Sequence, residues 1–109
     1  MKLPSEAVIA REKITNYLLR KLRENDKSGF LALAGYTLEN ADQLESDIRT
    51  QILTQEAEFL ETTEYGDKYC IRADVTGPNG QSLRVMTIWL TEEATATTKF
   101  ITLYPAKTT

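Results

Sequence analysis

Residues 82–90 read SLRVMTIWL and residues 99–104 read KFITLY, and these two stretches decide the fold of the chain. Both change side-chain character with a period of two, which is typical of β-strands. Closing the connection 91–98 symmetrically predicts three cross-strand pairs on one side of the hairpin: Trp89–Phe100, Thr87–Thr102 and Val85–Tyr104. The other side pairs Ile88 with Ile101 and Met86 with Leu103. The hairpin is therefore predicted to have one aliphatic face and one aromatic face.

Two further strands are predicted upstream of this hairpin. Residues 68–76 continue the period of two, and residues 58–62 form a weaker strand. The turn GPNG at 77–80 and the stretch EYGD at 64–67 connect them, since glycine permits positive φ and proline presets its own φ. The third strand spans 81–90, and Pro105 ends the last one because it cannot donate to a ladder. We expect a four-stranded antiparallel meander.

Symmetric closure of all three loops also predicts which side chains share a face of the sheet. The face expected to meet the helices carries aliphatic residues: Leu60, Ile71, Met86, Ile88, Ile101 and Leu103. The opposite face carries aromatic, cationic and hydroxyl side chains: Phe59, Lys68, Cys70, Arg72, Thr87, Trp89, Phe100, Thr102 and Tyr104. A bulge or a shift of one residue in any pairing would exchange the two faces.

Helices are predicted ahead of the strands, whereas residues 3–10 fit either an extended segment or a first helical turn. Residues 11–22 carry an amphipathic stripe formed by Ile14, Tyr17, Leu18 and Leu22. A short second helix begins after Asp26 as its cap, contains Phe30, Leu31, Leu33 and Ala34, and stops at Gly35. Asn40 and Gln43 match a capping box for a third helix with the stripe Ala41, Leu44, Ile48 and Ile52. The fold class is α+β, with two to three helices on one face of the sheet.

The composition narrows the function classes. A chain of 109 residues with 41% apolar and 27% charged residues fits one globular domain, residues 1–109. It has no apolar run long enough to span a membrane and no secretory signal, which predicts a cytoplasmic protein. Because the chain has one cysteine and no histidine, we expect no disulfide, no metal site and no cofactor, and an enzyme would depend on Lys, Arg, Tyr or carboxylates. The net charge of −3 disfavours non-specific attraction to nucleic acid but leaves room for a local basic patch.

The aromatic face is the candidate functional surface, and two hypotheses use it. Its predicted binding residues are Trp89, Phe100, Tyr104, Thr87 and Arg72. Exposed aromatic clusters more often mark protein contacts, which predicts a protein-binding or oligomerisation module with a protein partner or a second copy. Aromatic rings interleaved with cations can instead stack on RNA bases while the cations meet phosphates. A third reading is that these rings are simply buried.

Two single residues are weaker candidates for a functional role. Lys27 is a candidate phosphate contact beside the second helix, although a solvated loop lysine is the commoner case. Cys70 is best explained as an inert side chain.

Several short motifs carry a resemblance when they occur together. They are Tyr17-Leu18-Leu19, Lys27 ahead of Phe30-Leu31, Gly35-Tyr36-Thr37, Tyr65-Gly66, Gly77-Pro78-Asn79-Gly80, Thr87-Ile88-Trp89 and the ending Phe100 to Pro105. The chain resembles a family of small bacterial proteins that is known only as a domain of unknown function, and the resemblance covers nearly the whole chain. Its ending and its helix–strand order are also similar to the barnase, EndoU, colicin and RelE-like toxin ribonuclease fold. That similarity implies metal-independent RNA cleavage by a face that carries Lys68, Arg72, Thr87, Thr102 and Tyr104.

Overall fold

The computed structural model describes residues 1–23 and 27–106, which form helices followed by an antiparallel sheet. The first helix is Lys13–Leu18, the second is Ser28–Ala32 and the third is Ala41–Asp47. A 3₁₀ turn, Leu38–Asn40, leads into the third helix, and a π-helical turn, Ile48–Ile52, continues it. The strands are β1 (Glu58–Thr63), β2 (Gly66–Thr76), β3 (Ser82–Glu92) and β4 (Thr98–Pro105). The predicted α+β class and the order of elements are confirmed.

The helices differ from the prediction at two points, the end of the first helix and the cap of the third. The first helix is π-helical, with Leu19 N donating to Ile14 O over 2.9 Å, and it ends four residues before the predicted Leu22. The predicted capping box is wrong in its partners, because the Asn40 side chain accepts a hydrogen bond from Thr37 N and caps the preceding 3₁₀ turn. Gln43 instead donates to Asp47. Asp26, the predicted cap of the second helix, lies outside the described residues.

The sheet has the strand order β1-β2-β3-β4, and every neighbouring pair is antiparallel. Outside β4, residue Val8 of the N-terminal segment runs parallel to it, donating from its N–H to Thr98 O and accepting from Phe100 N, both over 2.8 Å. This settles the segment left open between residues 3 and 10, where Val8 is extended. The N-terminal segment therefore covers the outer edge of β4.

The strand register departs from the symmetric prediction and turns β3 over relative to β2. Between β2 and β3, Thr76 pairs with Ser82, so the loop has five residues, 77–81, and Ile71 pairs with Thr87 where Met86 was predicted. Between β3 and β4, the Trp89–Phe100 pair is confirmed. A bulge next to that pair then sets Thr87 opposite Leu103 and Val85 opposite Pro105. The five-residue loop shifts the pairing by one residue and turns the side chains of β3 to the opposite face. The bulge shifts the pairing again, so Thr102, Leu103 and Tyr104 lie on the faces predicted for them.

A second bulge in β1 changes the first hairpin. Phe59 pairs with Tyr69 and Glu61 with Lys68, which leaves Leu60 without an opposite residue. Leu60 is 45% exposed, so its predicted place in the core and its predicted pairing with Ile71 are wrong. The β1–β2 connection is the two-residue loop 64–65, because Thr63 already pairs with Gly66.

The hydrophobic core lies between the helices and one face of the sheet. The helical side contributes Ile14, Leu18, Leu31, Leu44, Ile48 and Ile52, all fully buried. The sheet contributes Ile71, Val75, Val85, Trp89, Phe100 and Leu103. Met86, Ile88 and Ile101, which were predicted in this core, do not belong to it. The GPNG turn packs against Ala34, just after the second helix. Asn79 donates from its backbone N–H to Ala34 O, and a Cβ at Gly77 would stand 2.2 Å from the same oxygen. That turn is thus a packing element.

Candidate functional site

Three of the predicted binding residues lie inside the core. Trp89 and Thr87 are 0% exposed and Phe100 is 2% exposed. Trp89 Nε1 donates to Thr87 Oγ1 over 2.8 Å, and that hydroxyl donates to Ile71 O over 3.1 Å. The rings of Trp89 and Phe100 meet edge to face with centroids 5.3 Å apart. Their predicted placement on an open surface is wrong, because these contacts are internal, and the buried-ring reading is the correct one for them.

The other predicted site residues lie on the opposite face of the sheet, here called the open face. Alternation along the strands places these side chains on it: Lys68, Cys70, Arg72, Met86, Ile88, Thr102 and Tyr104. Arg72 pairs with Met86 and Met86 with Tyr104, so these three form one row across β2, β3 and β4. Arg72 Nε lies 3.3 Å from Met86 Sδ. Four of the five residues predicted for RNA cleavage thus share a face, and Thr87 is the exception.

The middle of the open face is apolar and closed to solvent. Cys70 is 1% exposed and Ile88 is 8% exposed. Burial raises the pKa of the Cys70 thiol, and the carboxylate of Glu58 raises it further, against a smaller lowering by Arg72. A raised pKa keeps the sulfur in the thiol form at neutral pH, which agrees with the prediction of an inert cysteine.

Two tyrosines and a lysine meet where the open face reaches the edge of β4. Tyr17 Oη and Thr102 Oγ1 lie 2.9 Å apart, so the first helix contacts the strand across its edge. Lys27 Nζ stands 5.7 Å from the centroid of the Tyr17 ring and 5.5 Å from that of Tyr104. Lys13 Nζ lies 5.6 Å from the Tyr17 ring. We call Lys13, Tyr17, Lys27, Thr102 and Tyr104 the edge cluster.

The electrostatics of the edge cluster favour an anion. The hydrogen bond with Thr102 lowers the pKa of Tyr17, and the charges of Lys27 and Lys13 lower it further, against an opposing effect of burial. Among the residues that the structure describes, no carboxylate lies within ion-pair distance of Lys13, Lys27, Lys68 or Arg72. The ring faces hold Lys27 by cation–π attraction without neutralising its charge. Within residues 1–23 and 27–106, a negatively charged ligand group would therefore meet positive charge that no carboxylate pairs.

Tyr17 and Lys13 were not predicted as members of this site. Tyr17 was predicted on the apolar stripe of the first helix, and its half-buried ring does pack against the core. The signal in the sequence was its hydroxyl at the margin of the stripe, one helical turn from Lys13. The Lys27 hypothesis gains support from its half-buried position between two rings, which a freely solvated loop lysine would not have.

A cleft of about 310 Å³ with acidic lining lies elsewhere, near the β1–β2 and β3–β4 loops. Asp67, Glu92 and Glu93 are among its lining residues. Glu92 already pairs with Lys99 over 2.5 Å. Across residues 1–23 and 27–106, no group of His, Cys, Asp and Glu side chains is arranged to hold a metal ion, and no helix is long and apolar enough to cross a membrane. The physical chemistry of the edge cluster is therefore the better guide to function.

The fold and the edge cluster define a small α+β domain whose open sheet face carries aromatic and cationic groups. Residues 2–107 match the family described as a domain of unknown function, DUF6883, and the chain belongs to this family. No curated protein and no solved structure matches the chain. The expected similarity to the toxin ribonuclease fold accordingly has no support from these comparisons.

Proposed function

We propose that the domain binds single-stranded RNA at the edge cluster and across the open face. The observation that carries the proposal is the position of Lys27 between the rings of Tyr17 and Tyr104, with no described carboxylate in ion-pair reach. Lysine ammonium groups contact phosphates, and aromatic faces stack on bases of any identity. Both kinds of group occur together here.

Arg72 extends the proposed binding surface across the sheet. It lies in the same cross-strand row as Tyr104, with Met86 between them. Neighbouring strands are roughly 4.8 Å apart, so two strand spacings separate the row's ends by about 10 Å. An RNA strand that contacts Lys27 with one phosphate can contact Arg72 with another. Tyr104 and the flexible Met86 side chain would then support a base between them.

Direct binding to an RNA oligonucleotide tests this proposal. Wild-type protein is titrated into a fluorescently labelled single strand of about 12 nucleotides at low salt, where electrostatic contacts are strongest. Lys27→Gln should weaken binding about fivefold to tenfold, because a phosphate contact and its cation–π support are lost. Lys21→Gln removes the same charge from an exposed position and serves as the matched control, with an expected change of less than about twofold. Equal losses in both variants, or no binding by the wild type, would refute the site.

Metal-independent RNA cleavage is a second candidate, and the Tyr17–Thr102 pair favours it. In such cleavage a ribose 2′-oxygen attacks the neighbouring phosphorus and the bond to the 5′-oxygen breaks, so one proton leaves the 2′-hydroxyl and one joins the leaving oxygen. Tyr17, whose lowered pKa favours its phenolate, would take the 2′-hydroxyl proton as that phenolate, and the phenol so formed would pass the proton to the 5′-oxygen. Lys27 would stabilise the extra negative charge on the phosphoryl oxygens. Thr87 was predicted among the residues for RNA cleavage, but it is buried in the core and is not part of the proposal.

Tyr17→Phe separates cleavage from binding. The variant keeps the ring that Lys27 contacts and loses only the hydroxyl, so it should bind RNA nearly as well as wild type while cleavage, followed on gels in a chelator, falls by about 100-fold or more. An RNA with a single 2′-deoxy linkage should resist cleavage at that position. If wild-type protein leaves RNA intact, the cleavage hypothesis is dropped and the binding hypothesis stands on the titration alone.

A further inference from the structure

The two edge strands of the sheet differ in whether another segment of the chain hydrogen-bonds to their outer side. The outer edge of β4 is covered by the N-terminal segment through the two backbone hydrogen bonds of Val8. The outer edge of β1 receives no backbone hydrogen bond from any other described segment between Glu58 and Thr63. Every β1 residue except Thr63 is exposed. The domain thus presents one edge strand whose free N–H and C=O groups can form a ladder with another chain.

This edge also concentrates exposed apolar surface. Phe59 is 56% exposed, Leu60 is 45% exposed and Tyr65, in the adjacent loop, is 68% exposed. The Phe59 ring packs edge to face on Tyr69 with centroids 5.9 Å apart, so it is held in place on the protein surface. Large apolar groups clustered at one site are typical of a contact surface.

Acidic side chains share the edge with these rings, and the register sorts them onto separate faces. Glu58 pairs with Cys70 and Glu61 with Lys68, which places both carboxylates on the open face. Phe59 pairs with Tyr69 and therefore lies on the helix side. A strand added beside β1 would meet carboxylates with alternate side chains and the Phe59 ring with the others.

We propose that β1 binds an extended segment of a partner protein as a fifth strand, and that this segment alternates basic with apolar residues. Basic side chains would lie beside Glu58 and Glu61, and apolar ones would cover Phe59. A second copy of this chain is disfavoured as the occupant, because antiparallel pairing of two β1 edges gathers Glu58 and Glu61 of both copies on one face of the joined sheet, where like charges repel. The same carboxylates therefore disfavour self-association and select a basic partner.

Designed peptides test the proposal with the full chain. The probe is a labelled seven-residue peptide that alternates lysine and valine, and the comparison peptide has the same composition in two blocks. The alternating peptide should bind more tightly and should slow hydrogen exchange of amides in residues 58–63. Methylating the peptide amides along the edge that faces β1 should abolish binding, whereas methylating the opposite edge should not, because only one edge enters the ladder.

Protein variants then locate the contact. Phe59→Ser should weaken binding of the alternating peptide about threefold to fivefold, since one aromatic cross-strand contact is lost. Leu33→Ser is the matched control, because Leu33 is 57% exposed but lies near the second helix. Equal affinity for the alternating and the block peptide, equal effects of the two variants, or protection of amides outside β1 would overturn the proposal. So would binding that cannot be detected at a peptide concentration of about 1 mM.

Discussion

Thr87 is a polar residue in the centre of an apolar core, and its hydroxyl explains how it stays there. It accepts from Trp89 Nε1 and donates to Ile71 O, so both buried polar groups of the pair are satisfied. Among the described residues, no buried side-chain nitrogen or oxygen lacks a hydrogen-bond partner. Because an unpaired buried N–H is costly, the threonine and the tryptophan depend on each other.

Thr87→Val should lower the free energy of unfolding by about 1–3 kcal/mol, because the isosteric valine leaves the indole N–H buried without an acceptor. Urea unfolding of the two proteins measures the difference. Thr54→Val, at an exposed position, is the control and should change stability by less than about 0.5 kcal/mol. An equal, small effect of both substitutions would contradict the assigned hydrogen bonds.

The alternation of side chains along a strand does not by itself determine which face of the sheet a residue occupies. Trp89, Thr87 and Phe100 share one face, as the alternating pattern predicts, and the Trp89–Phe100 pair is correct. The pattern could not say which face is buried, since residues 82–90 have apolar side chains at both parities. Thr87 was placed on the exposed face by the symmetric register, and its hydrogen bond with the indole of Trp89 was not predicted. Lys68, Arg72, Thr102 and Tyr104 were placed together correctly on the same grounds of parity.

At the scale of elements, strand existence followed from periodicity, but pairing followed from the loops. A five-residue loop in place of a four-residue one shifted β2 against β3, and bulges at Leu60 and next to Trp89 shifted the other pairs. One inserted backbone residue is enough for each shift, and the side-chain pattern does not indicate where the insertion lies. The edge cluster escaped prediction for a related reason, because it joins the first helix, the residue before the second helix and β4, which no local pattern connects.

The third helix is attached to the sheet through Tyr36. Its hydroxyl donates to Asp47 Oδ2 over 2.5 Å and lies 3.4 Å from the carbonyl oxygen of Thr76 at the end of β2. Burial raises the pKa of Tyr36, and the hydrogen bond to Asp47 and the negative charge there raise it further. The folded protein therefore holds Tyr36 neutral at pH values where an unfolded chain would ionise it.

Stability should fall as the pH rises above the ordinary tyrosine pKa of about 10, since the unfolded state then binds fewer protons than the folded one. This group alone contributes a slope of about 1.4 kcal/mol per pH unit, and its stabilising effect is fully present below that pH. Tyr36→Phe should make the decline shallower, in urea unfolding repeated across alkaline pH. Tyr65→Phe, on an exposed ring, is the control and should leave the slope unchanged. Identical slopes for wild type and Tyr36→Phe would show that this pair does not act as described.

At the scale of the whole molecule, the two edges of the sheet carry opposite charge. Lysines 13 and 27 stand at the β4 edge, whereas Glu58, Glu61 and Glu64 line β1 and its loop. A net charge of −3 keeps general attraction to polyanions weak, so an RNA ligand must be held by local contacts. The site proposed for a basic partner segment lies at the β1 edge, and the surface proposed for RNA runs from the edge cluster to Arg72 on the neighbouring strand β2. The two proposed surfaces therefore adjoin.

If Lys27 contacts a phosphate as proposed, the salt dependence of RNA affinity must change when its charge is removed. For single strands, the logarithm of the association constant falls with the logarithm of salt concentration by about 0.7 per phosphate contact. We expect Lys27→Gln to reduce the steepness by about 0.7, and Lys21→Gln to leave it unchanged. A slope that is the same in wild type, Lys27→Gln and Lys21→Gln would show that Lys27 does not contact a phosphate.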